Sequence, residues 1–415
     1  MAPSLFSLLA TTLAISQVSL ALPSFDASSN PHSGFDTLSV SDSPRSDEQA
    51  DSTEQMEDGR EALASVYIKY GKPLPEDLEV AMTRRKKRDE FLATLSTTHN
   101  RALITAKIGI PEQPLRLVLD TSSSGLWLHS EHTANPDYQT AYNPGVSLTA
   151  EEMVKEWWEI EHLDSRVASG KVYYDFVSID TIGTKIISRS QALQIADAAT
   201  GFPEMPHGSG ILGLAFSSIN NIKPKPHPNL FDNIAERLAR KVFTVDIKQS
   251  IGEADFGYID HTGYFGDLGY SDVFNQNGFW NFTIQGLVSD FEAPTSGVEY
   301  AIADTATPMI MLPSTYVSAF YEQVEAARYS KKHGGFIMRC GVDMPDFTFR
   351  VGGVLIAIPK HHMQVPLNDN DKLCFGSLQF SDELGVNIIG ISAFKAAFVV
   401  FDPINAKIGW ARKYR

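Results

Sequence analysis

From about residue 98 to residue 415 the chain runs in short apolar stretches separated by Gly, Pro, Asn and Asp. The segments 102–110, 115–119, 172–179, 242–247, 353–358 and 398–401 show it best. Period-two alternation and β-branched residues predict strands, so the body is mainly β. Two segments depart from this pattern. Residues 230–238 and 313–327 carry apolar positions at helical spacing, and the second opens on Pro313-Ser314-Thr315, a capping signal.

The first hundred residues are patterned differently. Residues 4–21 are apolar, uncharged and end in Ser19-Leu20-Ala21, which predicts a secretory signal peptide cleaved after Ala21. Such a run, rich in Ser and Thr, is short for a membrane span. The polar end of the chain does not fit a glycolipid-anchor signal, so no membrane anchor is expected. Residues 24–60 are rich in Ser, Asp and Glu and poor in aromatics, a composition that does not build a core. A short organised patch follows at 61–81, with Tyr67, Lys69, Tyr70 and Lys72. Next comes the run Arg84-Arg85-Lys86-Lys87-Arg88. Its position at a composition boundary predicts cleavage by a dibasic-specific processing protease, with residues 22–88 as a propeptide.

Charge narrows the function. Lys and Arg number 35 against 50 Asp and Glu, a net of −15. Nine basic and 13 acidic residues precede Asp89, against 26 and 37 from there onward. So acidic a body repels phosphate backbones and suits low pH, where protonation relieves its self-repulsion. Nucleic acid is therefore not an expected partner. Two cysteines exclude a disulfide-dense scaffold and a four-cysteine zinc site, and no metal or cofactor is expected.

A weak internal repeat carries the chemistry. Leu117-Val-Leu-Asp120-Thr121-Ser122-Ser123 is echoed by Ala301-Ile-Ala-Asp304-Thr305-Ala306-Thr307. Each copy has its own downstream apolar-apolar-Gly, Ile211-Leu212-Gly213 after 93 residues and Ile388-Ile389-Gly390 after 86. One Asp-Thr pair is an ordinary turn signal. Two, each with its partner at matching spacing, predict two related halves that each contribute a carboxylate. Carboxylates brought together cannot both be charged, so they share a proton, one acting as base and the other as acid. The base activates a water against a carbonyl and the acid protonates its oxygen. Thr121 and Thr305 are expected to bond across to the opposite loop, and Ser123 and Thr307 to donate to the outer carboxylate oxygens.

At these residues the chain resembles the pepsin-like aspartic proteases, in particular their fungal penicillopepsin-like branch. The resemblance runs from about residue 100 to 412. Asp120-Thr-Ser-Ser-Ser-Gly-Leu-Trp127 looks like the first active-site loop, and Ala303-Asp304-Thr-Ala-Thr307 like the second. Gly208 to Asn220, Asp255 to Asp260, Gly278-Phe-Trp-Asn-Phe282, Val399 to Asp402 and Ile408-Gly-Trp410 match further strands of the family. The resemblance implies a bilobal, β-rich fold with a peptide-binding cleft, a first lobe with inter-lobe strands over 89–285 and a second over 286–415. It also implies a disulfide between Cys340 and Cys374, a monomer, and secretion to the extracellular space or the vacuole. Lys69 or Lys72 of the propeptide is expected to sit on the carboxylate pair until acid removes the leader.

Three departures stand out. Ser122 and Ala306 replace the family's Gly after each Asp-Thr, where Gly permits close backbone approach. Pro308 removes a backbone donor. The flap tyrosine position falls on His162, with Leu163 next and Asp164 keeping an acidic residue of the fungal branch. His162 would face Trp127 and titrate near the working range. Trp157 and Trp158, being adjacent, are expected to face opposite sides. Asn281-Phe-Thr283 is the one N-glycosylation sequon. The function expected is acid endopeptidase. The alternative is a repurposed protease fold that binds or transforms a peptide or a small natural-product molecule without proteolysis.

Overall fold

The computed structural model describes residues 58–89, 102–134, 140–161, 167–181, 184–200, 208–248, 251–289, 297–367 and 372–413. Among these the strands form sheets of thirteen, seven and four strands. The predicted strands are present with boundaries moved by a few residues. Examples are Leu103–Ile108, Gln113–Asp120, Val167–Thr181, Phe243–Lys248, Val354–Ile358 and Ala397–Asp402.

The repeat is a repeated path of the backbone. In the large sheet Gln113–Asp120 runs parallel to Gly210–Gly213, with Asp120 beside Gly213. Gly210–Gly213 in turn pairs antiparallel with Leu126–His129. In the seven-stranded sheet Val298–Ala303 runs parallel to Ile388–Ile389, which pairs antiparallel with Ile310–Leu312. Each carboxylate loop thus closes over a strand inserted from far along the chain. The glycine ending each inserted segment is needed for close approach. A Cβ on Gly213 would lie 2.5 Å from the Ser123 carbonyl oxygen, and one on Gly390 2.1 Å from that of Met309.

The two halves share one core. Ala397–Asp402 and Lys407–Arg412 return from the end of the chain to the large sheet, where Ala397–Asp402 pairs with Phe243–Lys248. Trp280 sits at the junction, 1% exposed, against Phe216, Phe243 and Phe401. Its indole N–H donates to the Leu214 carbonyl at 2.9 Å, and its own carbonyl accepts the Ala303 N–H at 3.0 Å. One residue therefore ties the strand before Asp304 to the segment beneath Asp120.

The helices are shorter than their periodicity suggests. The first is α-helical over Leu230–Ile234 and tightens to a 3-10 turn over Ala235–Arg237. Asn229 caps it by accepting the Asp232 N–H. The second spans Ser314–Tyr321, and its first N–H is capped from a distance by Asp382. Tertiary packing overrides the pattern at both ends. Before the body, two helices form, Gly59–Lys69 and Glu76–Asp89. Asp58 caps the first by accepting the Arg60 N–H. Its buried Ala62, Leu63, Val66 and Tyr67, with Leu78 of the second, pack on Met309, Met311, Ile337, Phe375, Leu384 and Ile388. Cys340 and Cys374 form a disulfide in this half, beside the pairing of Gly335–Arg339 with Leu373–Gly376.

Trp280→Phe keeps a ring but leaves the Leu214 carbonyl without its donor, an expected cost of about 1–3 kcal/mol. Trp280→Ala also opens a cavity and should cost about 3–5 kcal/mol. Urea unfolding of the full chain measures both.

Candidate active site

Asp120 ends its strand and Asp304 follows Val298–Ala303. Both carboxylates are buried, at 2% and 0% exposure. What holds them together is a reciprocal set of four hydrogen bonds. The Thr121 N–H donates to Thr305 Oγ1 and the Thr305 N–H to Thr121 Oγ1, each at 3.1 Å. The two hydroxyls then donate onward, Thr121 to the Ala303 carbonyl and Thr305 to the Leu119 carbonyl, each at 2.7 Å. Each loop is thereby fastened to the strand that carries the other carboxylate.

The carboxylate oxygens divide into two kinds. The outer oxygens, Oδ2, accept hydroxyls: Ser123 donates to Asp120 at 2.9 Å and Thr307 to Asp304. The inner oxygens, Oδ1, accept the N–H of Ser122 at 2.8 Å and of Ala306 at 2.9 Å. Neither Ser122 nor Ala306 has a positive φ, so a side chain at these positions meets no backbone strain. The Ser122 hydroxyl makes an additional bond to Asp120 Oδ1 at 2.9 Å.

Between the inner oxygens lies a cation. Lys69 Nζ is 3.1 Å from Asp120 Oδ1 and 2.9 Å from Asp304 Oδ1, while the Tyr70 hydroxyl donates to Asp304 Oδ2 at 2.9 Å. Burial alone would push the Lys69 ammonium down. The charges of Asp120 and Asp304 outweigh that and hold it above its ordinary value. Burial likewise opposes charge on Asp120, yet Lys69, the Ser122 N–H and the Ser123 hydroxyl keep its carboxyl below the ordinary range. Burial and the charge of Asp304 push the Tyr70 phenol well up, so it stays a donor.

Trp127 is buried, with its ring edge-on to Trp158 at 6.2 Å. Trp158 is fully buried while Trp157 is half exposed, so the pair does face opposite ways. The strands Glu151–Glu161 and Val167–Thr181 form a hairpin with Glu161 opposite Val167. His162 and Asp164 belong to its connection, 162–166, and lie outside the described residues. Asn281 sits within a strand opposite Ile302, and its sequon partner Thr283 bonds the Ser271 hydroxyl at 2.9 Å. Lys72 is exposed, so Lys69 alone of the two lysines reaches the carboxylates. Sequence reasoning missed Tyr70, the Ser122 hydroxyl and the junction role of Trp280. The first had a usable signal, a tyrosine directly after the lysine at the end of an apolar helix.

The family model for eukaryotic aspartyl protease matches residues 103–413. The chain belongs to the eukaryotic aspartyl protease family. It is 35% identical to endothiapepsin of Cryphonectria parasitica over 365 residues, 85% of this chain and 86% of that one. Aspergillopepsin-1 of Aspergillus clavatus is 32% identical over 354 residues, covering 84% and 86%. Among solved structures, an aspartic proteinase from Irpex lacteus superposes with a TM-score of 0.62 at 18% identity, over 76% of this chain and 95% of that one. The resemblance read from the two Asp-Thr loops therefore holds across the body of this aspartyl protease, and the fold is pepsin-like.

Thr121→Val preserves shape but removes the donor to the Ala303 carbonyl and the acceptor of the Thr305 N–H in a buried interface. The expected cost is about 1–3 kcal/mol for each group. A fall in unfolding free energy accompanied by loss of peptide hydrolysis is the anticipated result. Unchanged values in both measurements would contradict the role given to the crossed threonines.

Proposed function

We propose that the protein is a secreted aspartic endopeptidase, made as a zymogen, that hydrolyses peptide bonds at acidic pH. The observation that carries this reading is Lys69 Nζ seated between the inner oxygens of Asp120 and Asp304. A water molecule takes that place once the leader is gone. With one proton shared by the pair, the charged carboxylate accepts a proton from the water as the water oxygen attacks the peptide carbonyl. The protonated partner gives its proton to the carbonyl oxygen. The first carboxyl then protonates the leaving nitrogen, the carbon–nitrogen bond breaks, and the proton on the diol oxygen returns to the second carboxylate. Ser123 and Thr307 steady the outer oxygens throughout. The substrate lies extended in the cleft as an added strand, covered by the hairpin of Glu151–Glu161 and Val167–Thr181.

The leader is read as a signal peptide over 1–21 and a propeptide over 22–88. The basic run Arg84–Arg88 then falls within the helix Glu76–Asp89. No helix among the described residues is long and apolar enough to cross a membrane. Secretion into an acidic medium, or delivery to an acidic vacuole, fits the acidic body, and the active form is taken as a monomer.

The ion pair makes inhibition depend on pH with a definite sign. Lys69 is held above its ordinary value, so its contribution is complete at and below neutrality and is lost only in strong alkali. Asp120 is held below its ordinary value, so its contribution is complete above the ordinary carboxylate range and declines as pH falls from that range. It is lost as pH falls through the depressed value. The zymogen is thus closed at pH 7 and opens in acid. Purified full-length protein should digest haemoglobin at about pH 3–5 but not at pH 7, and pepstatin should block the digestion. Asp120→Asn and Asp304→Asn should each lower the rate by about 10²–10⁴-fold. Lys69→Ala removes the bridging cation and should let activity appear at a higher pH than in the parent. Digestion that persists in Asp120→Asn would overturn the assignment.

A further inference from the structure

Within the body of the protein the two carboxylate loops are matched bond for bond, with one exception. Backbone N–H groups of Ser122 and Ala306 reach the inner oxygens, hydroxyls of Ser123 and Thr307 reach the outer ones, and the threonines cross symmetrically. The exception is the Ser122 hydroxyl, which donates to Asp120 Oδ1 at 2.9 Å. Ala306 occupies the corresponding place beside Asp304 and has only a methyl group to offer. Ser122 is 7% exposed. Its hydroxyl also meets the phenol of Tyr70, so it faces the side of Asp120 that the leader covers and a substrate would occupy.

A donor bonded to a carboxylate oxygen stabilises the charged form over the neutral one. The loop around Asp120 supplies three such donors, and the loop around Asp304 supplies two. We propose that Ser122 is a positioning residue for the reaction: its hydroxyl fixes the dyad's negative charge on Asp120 and leaves the shared proton on Asp304. Asp120 is then the carboxylate that removes the proton from water, and Asp304 the carboxyl that protonates the peptide carbonyl. The serine also extends activity to lower pH, because Asp120 stays ionised further into acid. This rests on the endopeptidase reading above.

The test uses Ser122→Ala and Ser122→Gly in the full chain, both of which keep the backbone N–H to Asp120. Haemoglobin digestion after acid activation gives kcat/KM against pH, with pepstatin-sensitive cleavage by the parent protein as the check on the underlying reading. Each variant should move the acid limb upward by about one pH unit. That is about a tenfold loss at a pH below the parent limb with little change at the optimum. Ser124→Ala removes a hydroxyl in the same loop that has no hydrogen-bond partner among the described residues, and should leave the limb where it is. A second readout needs no catalysis: the pH at which the backbone N–H groups of Gly59–Lys69 lose protection from hydrogen exchange should rise in both Ser122 variants by a similar amount. Limbs and release midpoints coincident with the parent in both variants would overturn the proposal. So would a loss of rate that is uniform across pH, which marks a structural defect.

Discussion

Two carboxylates buried face to face repel each other unless a cation or a shared proton lies between them. The architecture around Asp120 and Asp304 supplies what this repulsion demands. Four crossed threonine bonds resist separation of the loops, and donors at every carboxylate oxygen spread the charge. Without the crossing, the pair would relax apart and lose the strong coupling that makes one group acidic and the other basic. The inserted strands, the close-approach glycines and the Trp280 junction exist one layer further out. They place two loops, 184 residues apart in the chain, within hydrogen-bond distance.

The same electrostatic demand explains how the leader engages the site. A lysine ammonium meets both inner oxygens at once, and the neighbouring phenol takes an outer one. The helix that ends at Lys69 presents its cation at its C-terminal end, where the helix dipole also favours positive charge. Apolar packing of Leu63, Val66 and Tyr67 on the second half sets the helix in place. Polar specificity and apolar adhesion are thus supplied by different faces of one short segment.

Much of this was legible in the sequence, for reasons that differ by residue. Asp120 and Asp304 could be read because their chemistry is local and their spacing to Gly213 and Gly390 is doubled. The Cys340–Cys374 bond followed from the resemblance, with no rival cysteine in the chain. The choice between Lys69 and Lys72 was not legible, because it depends on where the helix stops. The helix closes with the Tyr70 N–H on the Val66 carbonyl, and the chain turns at Gly71, which aims residues 69 and 70 together and leaves Lys72 in solvent. The helix ends near residues 234 and 321 were equally hidden, since the backbone tightens there into three-residue turns, Ala235–Arg237 after the first and the Val324 N–H on the Tyr321 carbonyl after the second, which periodicity does not distinguish. The Ser122 hydroxyl was out of reach because a rotamer, rather than a residue type, decides what it touches.

Among the described residues the apolar seat of the leader lies mainly on the second half of the molecule, and apolar contacts do not titrate. Acid therefore dissolves the polar contact at the dyad while the adhesion remains. While the chain is continuous, the leader is a tethered ligand, and the tether's high effective concentration favours return whenever pH recovers. The scission near Arg88 proposed above would end the tether and turn re-binding into a bimolecular event that dilution opposes. On that reading, protonation and peptide-bond cleavage control different quantities, the affinity of the leader and its local concentration. Only the second change is irreversible.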